Sequence, residues 1–321
     1  MGTGQAVKLR DCLFLVHAKP KDKAQEELWK KLIDGKLAVP DTWEVALSAG
    51  ADKKETFTRL IAEDKLGALA LLRNLRNMQE SKVPNTVIRS ALEKMKVDRV
   101  LPYRFIAAAR YAPNLEPELE AAMFRCVALQ EKLKGRTVLL TDVSGSMDSS
   151  VSNKSDLSRM DAACALAILL REICDEVRVF TFSEWLVEVP NRRGFALRDS
   201  IVQSQPHGGT YLGQATTLLH GGKLLGEKIT WSTMGFHRNH PTFVGKKKPG
   251  GDYSGGEVPY DRLIVITDEQ SHDKVPDPKG KGYVVNVAAY ENGVGYGSWT
   301  HVDGWSEAVV QYIQELERVL M

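Results

Sequence analysis

An α + α/β fold, with an all-helical first part and an α/β second part, is predicted for this chain of 321 residues by three observations. Apolar residues recur at helical spacing from about residue 5 to residue 133, and no strand pattern interrupts them. From Gly135 onward, short continuous apolar runs alternate with helical stretches. Charge divides at the same place: residues 1–136 hold 25 basic and 18 acidic side chains, and residues 137–321 hold 18 basic and 23 acidic ones. A formal net charge of +2 therefore conceals a basic helical part, suited to an anionic partner, and an acidic α/β part.

In the first part, Leu9, Cys12, Leu13 and Val16 stand at i, i+3, i+4 and i+7. Leu28, Leu32 and Ile33 repeat the stripe, and so do Phe57, Leu60 and Ile61. Residues 66–78 (LGALALLRNLRNM) put Leu69, Leu71, Leu72 and Leu75 on an apolar side and Arg73 and Arg76 on the other. Residues 85–96 and 104–111 continue the series, with Pro84, Pro102, Pro113 and Pro117 at the joints. Helices of this length with short joints predict an α-solenoid arc of HEAT type over residues 1–134.

In the second part, residues 136–141 (RTVLLT), 177–182 (VRVFTF), 262–267 (RLIVIT) and 283–287 (YVVNV) read as strands. Residues 159–174 and 305–320 read as helices. Continuously apolar strands are covered on both faces, which predicts a doubly wound, mostly parallel sheet over residues 135–321. Residues 226–259 fit neither pattern: seven glycines, Trp231, Phe236, Phe243, Tyr253 and the basic run 246–248 form a long insert of the kind that is either functional or mobile.

Composition narrows the function classes. Cys12, Cys126, Cys164 and Cys174 lack metal-ligand spacing and sit in apolar helical patterns, so core packing in a reducing compartment is expected. No apolar run approaches the ~18 residues of a membrane span, and MGTGQAVKLR has no signal-peptide apolar region, so a cytoplasmic location is expected. There is no GxSxG elbow and no GxxxxGK[ST] loop. His237 and His240 lack the further ligands of a zinc site. No catalytic residue is predicted.

Residues 141–147 (TDVSGSM) follow the first strand of the α/β part. Ligands of open parallel sheets bind at strand ends, and Asp142, Ser144 and Ser146 alternate so that one carboxylate and two hydroxyls converge. Thr210 in a Gly-Gly-Thr loop and Asp268 in a Thr-Asp-Glu loop add two hard oxygen donors. The five suit Mg²⁺, or Mn²⁺ or Ca²⁺, with a coordination position open to a partner. The alternative is a metal-free loop in which Asp142 caps the following turn.

These five positions match, one by one, the metal-ion-dependent adhesion site of the von Willebrand factor A domain, which the second part resembles. Residues 9–20 (LRDCLFLVHAKP), 71–78 (LLRNLRNM) and 100–110 (VLPYRFIAAAR), followed directly by such a domain, resemble the TROVE module of the Ro autoantigen family. The resemblance covers essentially the whole chain. It implies a ring of helical repeats closed by the A domain, binding small structured Y RNAs on its basic outside and single-stranded ends of misfolded RNAs through its hole. It also implies an exonuclease, or another protein offering an acidic ligand to the metal, as a partner. The family's helical module is longer than 134 residues, so N-terminal repeats are expected to be absent here. Ring closure would then fall to self-association or to another chain.

Within this frame His17, Lys19, Arg73, Arg76, Lys82 and Arg89 are the candidate RNA-binding residues, since guanidinium and ammonium groups grip phosphate without sequence preference. Arg104 and Arg110, beside the acidic part, either join them or pair across the junction. Two functions stay open. One is a Ro-like RNA-binding protein whose A domain holds a divalent cation for scaffolding or partner capture. The other is a metal-dependent interaction adaptor without an RNA role. A metal-dependent hydrolase is a weaker third, because a hydroxyl-rich shell suits ligation better than water activation.

Overall fold

The computed structural model describes residues 7–98, 100–128, 131–152, 157–224, 246–247, 253–254, 256–288, 297–304, 306 and 308–319. His237, His240, the insert aromatics Trp231, Phe236 and Phe243, and Lys248 lie outside the described residues. The chain divides into two compact units, Met1–Leu66 and Gly67–Met321. The change from helix to strand near residue 134 therefore falls inside the second unit.

The first unit contains helices α1 (Leu9–Val16), α2 (Lys23–Ile33), α3 (Trp43–Ser48) and α4 (Lys53–Ala62). Side chains start three of them: Asp22, Thr42 and Asp52 accept from the backbone N–H three residues on, each satisfying a donor that the first turn leaves open. Trp43 stacks on Phe57 at 6.4 Å between α3 and α4. Asp41 receives two N–H groups of Arg59, at 2.7 and 2.9 Å, and the ammonium of Lys65 at 2.9 Å. These cations hold its carboxyl well below the usual range. The stripe predicted on α1 exists but is uncovered: Leu9 and Val16 are 67% and 68% exposed. Cys12 on that stripe is exposed too, and so is not the core residue expected, whereas Cys126, Cys164 and Cys174 are buried.

The second unit begins with α5 (Ala68–Glu80), α6 (Asn85–Lys94), α7 (Tyr103–Tyr111) and α8 (Glu116–Val127). Leu71, Leu72, Leu75 and Met78 of α5 are buried, while Leu69, expected among them, is exposed. Then follow β1 (Leu133–Asp142), α9 (Arg159–Ile173), β2 (Cys174–Phe182), β3 (Leu186–Glu188), α10 (Gly194–Val202) and α11 (Leu212–Leu219). The two-residue strands β4 (Lys223–Leu224), β5 (Lys246–Lys247) and β6 (Tyr253–Ser254) form a small sheet of their own. The chain closes with β7 (Arg262–Thr267), β8 (Lys281–Asn286), β9 (Trp299–Asp303) and α12 (Ala308–Val319).

The main sheet has the order β3-β2-β1-β7-β8-β9, with only β3 antiparallel. Both faces of its central strands are buried, as their unbroken apolar runs require. Val138, Leu140, Leu263, Val265 and Val284 pack with Leu212, Ala215 and Leu218 of α11 on one face. On the other, α9 packs against β1, β2 and β7. Helix α12 is fastened there by a buried cluster in which Arg262 donates to both carboxylate oxygens of Glu317 and to Thr137 Oγ1 (2.8 Å), and Tyr283 donates its hydroxyl to Glu317 at 3.1 Å.

Helices and sheet are one packed body here: α7 lies against α9, and α8 against α10. Strand β1 starts at Leu133, earlier than its apolar run, through a register irregularity between Leu133 and Arg136. Gly135 makes this possible, at φ +88°, where a Cβ would also come within 3.0 Å of Asp261 Oδ2.

Candidate metal centre and nucleic-acid interface

Strands β1 and β7 are parallel neighbours with Thr141 opposite Ile266, so Asp142 and Asp268 emerge near one another at the C-terminal edge of the sheet. Both carboxylates are fully buried. Asp142 Oδ1 accepts the Ser144 N–H at 2.8 Å, an Asx turn that curls the chain back over the strand end. Asp142 Oδ2 accepts the Thr267 hydroxyl at 2.6 Å. Ser144 Oγ and Ser146 Oγ lie 3.2 Å apart. The Thr210 loop joins this group through backbone bonds: Gly145 N–H donates to Gly208 O at 3.1 Å, and His272 N–H donates to Thr210 O at 2.8 Å. Thr210 thus sits between the loop after β1 and the loop after β7.

Burial pushes the Asp142 carboxyl up to about 6, although hydrogen bonds from Ser144 and Thr267 favour its ionised form; the Asp268 charge adds to the rise. Two buried carboxylates side by side form a site that a cation would relieve. A carboxylate has about four lone-pair sites, so Asp142 keeps room for a further partner beside Ser144 and Thr267. The serine hydroxyl spacing approaches the ~3 Å between neighbouring vertices of an octahedron with Mg²⁺–O bonds of about 2.1 Å. Among the described residues no three His, Cys, Asp or Glu side chains gather as a metal cluster, so any cation here would rely on hydroxyl donors. The donor set fits a hard divalent ion.

A second feature lies between α5 and α7. Their packing leaves a cleft of about 390 Å³ lined by Arg73, Arg76, Arg104, Asn77 and Tyr111. The Arg76 guanidinium bonds Glu80 at 2.9 Å and stands 5.5 Å over the Tyr111 ring. Arg104 lies 4.6 Å over Tyr103. Three guanidinium groups and an aromatic ring on one open cleft combine charge for phosphate with a surface for stacking.

Residues 20–163 match the TROVE domain family, a span that crosses the second unit's helices and reaches the candidate metal loop. The Ro (Rsr) protein of Deinococcus radiodurans has the same fold, with a TM-score of 0.60 at 18% identity over 97% of this chain and 71% of that one. Residues 20–163 are thus TROVE-like. Weaker likenesses, over 57% of this chain at 15% identity, are to an aerotolerance-related membrane protein of Bacteroides fragilis (TM-score 0.32, 98% of that chain) and to BatB of Bacteroides thetaiotaomicron (0.31, 97%). No curated protein matches.

The candidate RNA residues are distributed unevenly. Arg73 and Arg76 share the cleft. Lys82 is exposed just past α5, in left-handed backbone at φ +58°. Arg89 is drawn to Glu118 at 3.0 Å, an ion pair joining α6 to α8. His17 caps α1 at φ +47° and is exposed, as is Lys19; both belong to the first unit. Of the two arginines placed at the junction, Arg110 pairs with Asp161 of α9 at 2.7 Å while Arg104 turns to the cleft.

Sequence reasoning misses three contributors. Tyr111 lies beyond the arginine-bearing helix, and only the α5–α7 packing brings it to Arg76. Thr267 reads as the last residue of a buried strand, although its hydroxyl holds Asp142. Arg159 reads as the first turn of an apolar helix, yet its guanidinium is buried and bonds Asp268 at 2.7 Å. The one available signal was the capping box Ser158-x-x-Asp161, which fixes where α9 starts and so points Arg159 back toward the loop after β1.

Proposed function

We propose that this chain is a Ro-like TROVE protein that binds small structured RNA on its basic helical surface, and that its von Willebrand factor A-type domain binds a divalent cation, Mg²⁺ by preference, for scaffolding or partner capture. The observation that carries the RNA reading is the cleft between α5 and α7, where Arg73, Arg76 and Arg104 converge beside Tyr111. The TROVE match over residues 20–163 supports it, as does the basic balance of residues 1–136. Phosphate is gripped by the guanidinium groups while Tyr111 offers a face to an unstacked base. Lys82 and, in the first unit, His17 and Lys19 add positive charge for the backbone. Arg76 and Arg89 each start from an ion pair, with Glu80 and Glu118, that phosphate has to compete with, so Arg73 and Arg104 carry more of the grip.

The cation reading rests on the convergence of Asp142, Ser144, Ser146, Thr210 and Asp268. The bound ion would supply Lewis acidity toward an anionic oxygen, while the residues themselves orient it: Thr267 and the Ser144 N–H fix the Asp142 carboxylate. A partner protein presenting an acidic side chain, such as an exonuclease, suits the open position, and self-association would add further helical surface. An adaptor without an RNA role is the second reading, favoured by the buried hydroxyl-and-carboxylate constellation alone. The two separate in one experiment. Arg73→Glu with Arg76→Glu should weaken binding of a structured RNA at least about tenfold and leave cation binding intact. If the double variant binds RNA as the parent does, the cleft is not the interface.

A further inference from the structure

Arg159 stands where a buried positive charge is unusual. It opens α9, and its side chain is 10% exposed. Its Nη1 donates to Asp268 Oδ2 at 2.7 Å and to the Ser146 carbonyl at 3.3 Å. The backbone N–H of Arg159 donates to Ser149 O at 2.9 Å, which anchors the residue to the same loop. The guanidinium thus bridges the loop after β1 to the loop after β7, the two that carry the candidate carboxylate ligands.

A guanidinium cannot shed its proton under ordinary conditions, so this charge is permanent. Two buried carboxylates with no counter-charge would be strongly unfavourable, and removing one partner of such a buried pair is what destabilises it. With Arg159 in place, one of the two carboxylates is neutralised without any metal. A divalent ion entering beside Asp142 meets both a fixed positive charge and a competitor for the Asp268 oxygens. Like charges that share one carboxylate interact appreciably even at a moderate effective dielectric.

We propose that Arg159 is a built-in counter-cation of the metal centre. It keeps the α/β unit folded when the centre is empty, and it lowers the affinity of the centre for divalent ions so that occupancy follows the ambient cation concentration. This inference rests on the reading of Asp142, Ser144, Ser146, Thr210 and Asp268 as a cation site. A purely structural bridge between two loops would predict the opposite sign for affinity, because loosening Asp268 would weaken metal binding.

The test measures Mn²⁺ affinity of the full chain by calorimetric titration, and thermal midpoints in EDTA and in excess Mn²⁺, for the parent and for Arg159→Gln, Arg159→Lys and Asp142→Ala. Arg159→Gln keeps a hydrogen-bonding group without charge and should bind Mn²⁺ about tenfold more tightly. Its midpoint in EDTA should fall below the parent's, and its rise on adding Mn²⁺ should be larger. Arg159→Lys keeps the charge and should bind as the parent does. If Arg159→Gln stays soluble only with Mn²⁺ present, titration with a chelator reads the same affinity. Unchanged or weaker binding by Arg159→Gln, with the parent still binding and Asp142→Ala not, overturns the counter-cation role and leaves the metal site standing. Absence of binding in the parent and in Arg159→Gln overturns both.

Discussion

Arg110 donates to Asp161 at 2.7 Å, which ties α7 to the first turn of α9, the helix that carries Arg159 into the candidate metal centre. The same carboxylate accepts the Ser158 N–H at 2.8 Å and the Ser158 hydroxyl at 2.8 Å. The helical series and the metal-site helix therefore share one acidic residue.

That sharing makes the two partners unequal. The Arg110 side chain is 42% exposed, so Arg110→Ala should cost no more than about 1 kcal/mol in urea unfolding. Asp161→Ala removes the ion pair and also half of the capping box at the start of α9, and should cost about 1–2 kcal/mol. Equal losses for the two variants would show that the cap contributes nothing.

The buried Arg262–Glu317 pair behaves differently. Glu317→Ala leaves a guanidinium buried at 3% exposure with no carboxylate, and should destabilise the chain by about 3–5 kcal/mol. Replacing both residues by apolar ones, Arg262→Met with Glu317→Leu, should be close to neutral. Denaturant midpoints of the three proteins check this; a double variant as unstable as Glu317→Ala would contradict it.

Glu317 also has a pH signature. Burial opposes its ionised form, but hydrogen bonds and charge from Arg262, with Lys281 and Tyr283, outweigh burial and hold the carboxyl below its ordinary value. A carboxyl depressed in the folded state contributes stability above its unfolded value and loses it as pH falls through the folded one. Stability of the parent should therefore drop from about pH 4.5 downward, and the drop should be shallower in the Arg262→Met, Glu317→Leu double variant. Parallel curves would remove Glu317 as a source of the acid sensitivity.

At the candidate metal centre, Mg²⁺ should raise the parent's thermal midpoint and Asp142→Ala should abolish that shift, since Asp142 is the carboxylate around which Ser144 and Thr267 are arranged. A shift that persists would place the ion elsewhere.

Much of the architecture is legible in the sequence, for identifiable reasons. The runs at β1, β2, β7 and β8 are continuously apolar because both faces of those strands are covered, and helix α5 shows its buried side through Leu71, Leu72 and Leu75. The edge strands β3 and β9 are short and mixed, so periodicity does not reveal them. Helices α10 and α11 escape as well: one begins at Gly194 in left-handed backbone, and the other is only eight residues long, with a glycine and two threonines among them.

Exposure was harder to read than helicity. Leu9 and Val16 obey a helical stripe and yet stay exposed, since spacing specifies a face and not what covers it. At the candidate metal centre the motif offers the donor types. Its supporting residues, Arg159 and Thr267, became visible only once β1 and β7 were known to be neighbours.

RNA binding by the cleft between α5 and α7 is the central claim, and salt dependence tests it most directly. Binding of a small structured RNA should be measured from about 50 to about 300 mM salt for the parent and for Arg73→Glu with Arg104→Glu. The parent's log affinity should fall linearly with log salt as counterions are released, and the double variant should bind at least about tenfold more weakly with a slope shallower by about one to two. A parent that does not bind, or a variant with the parent's affinity and slope, would contradict the account.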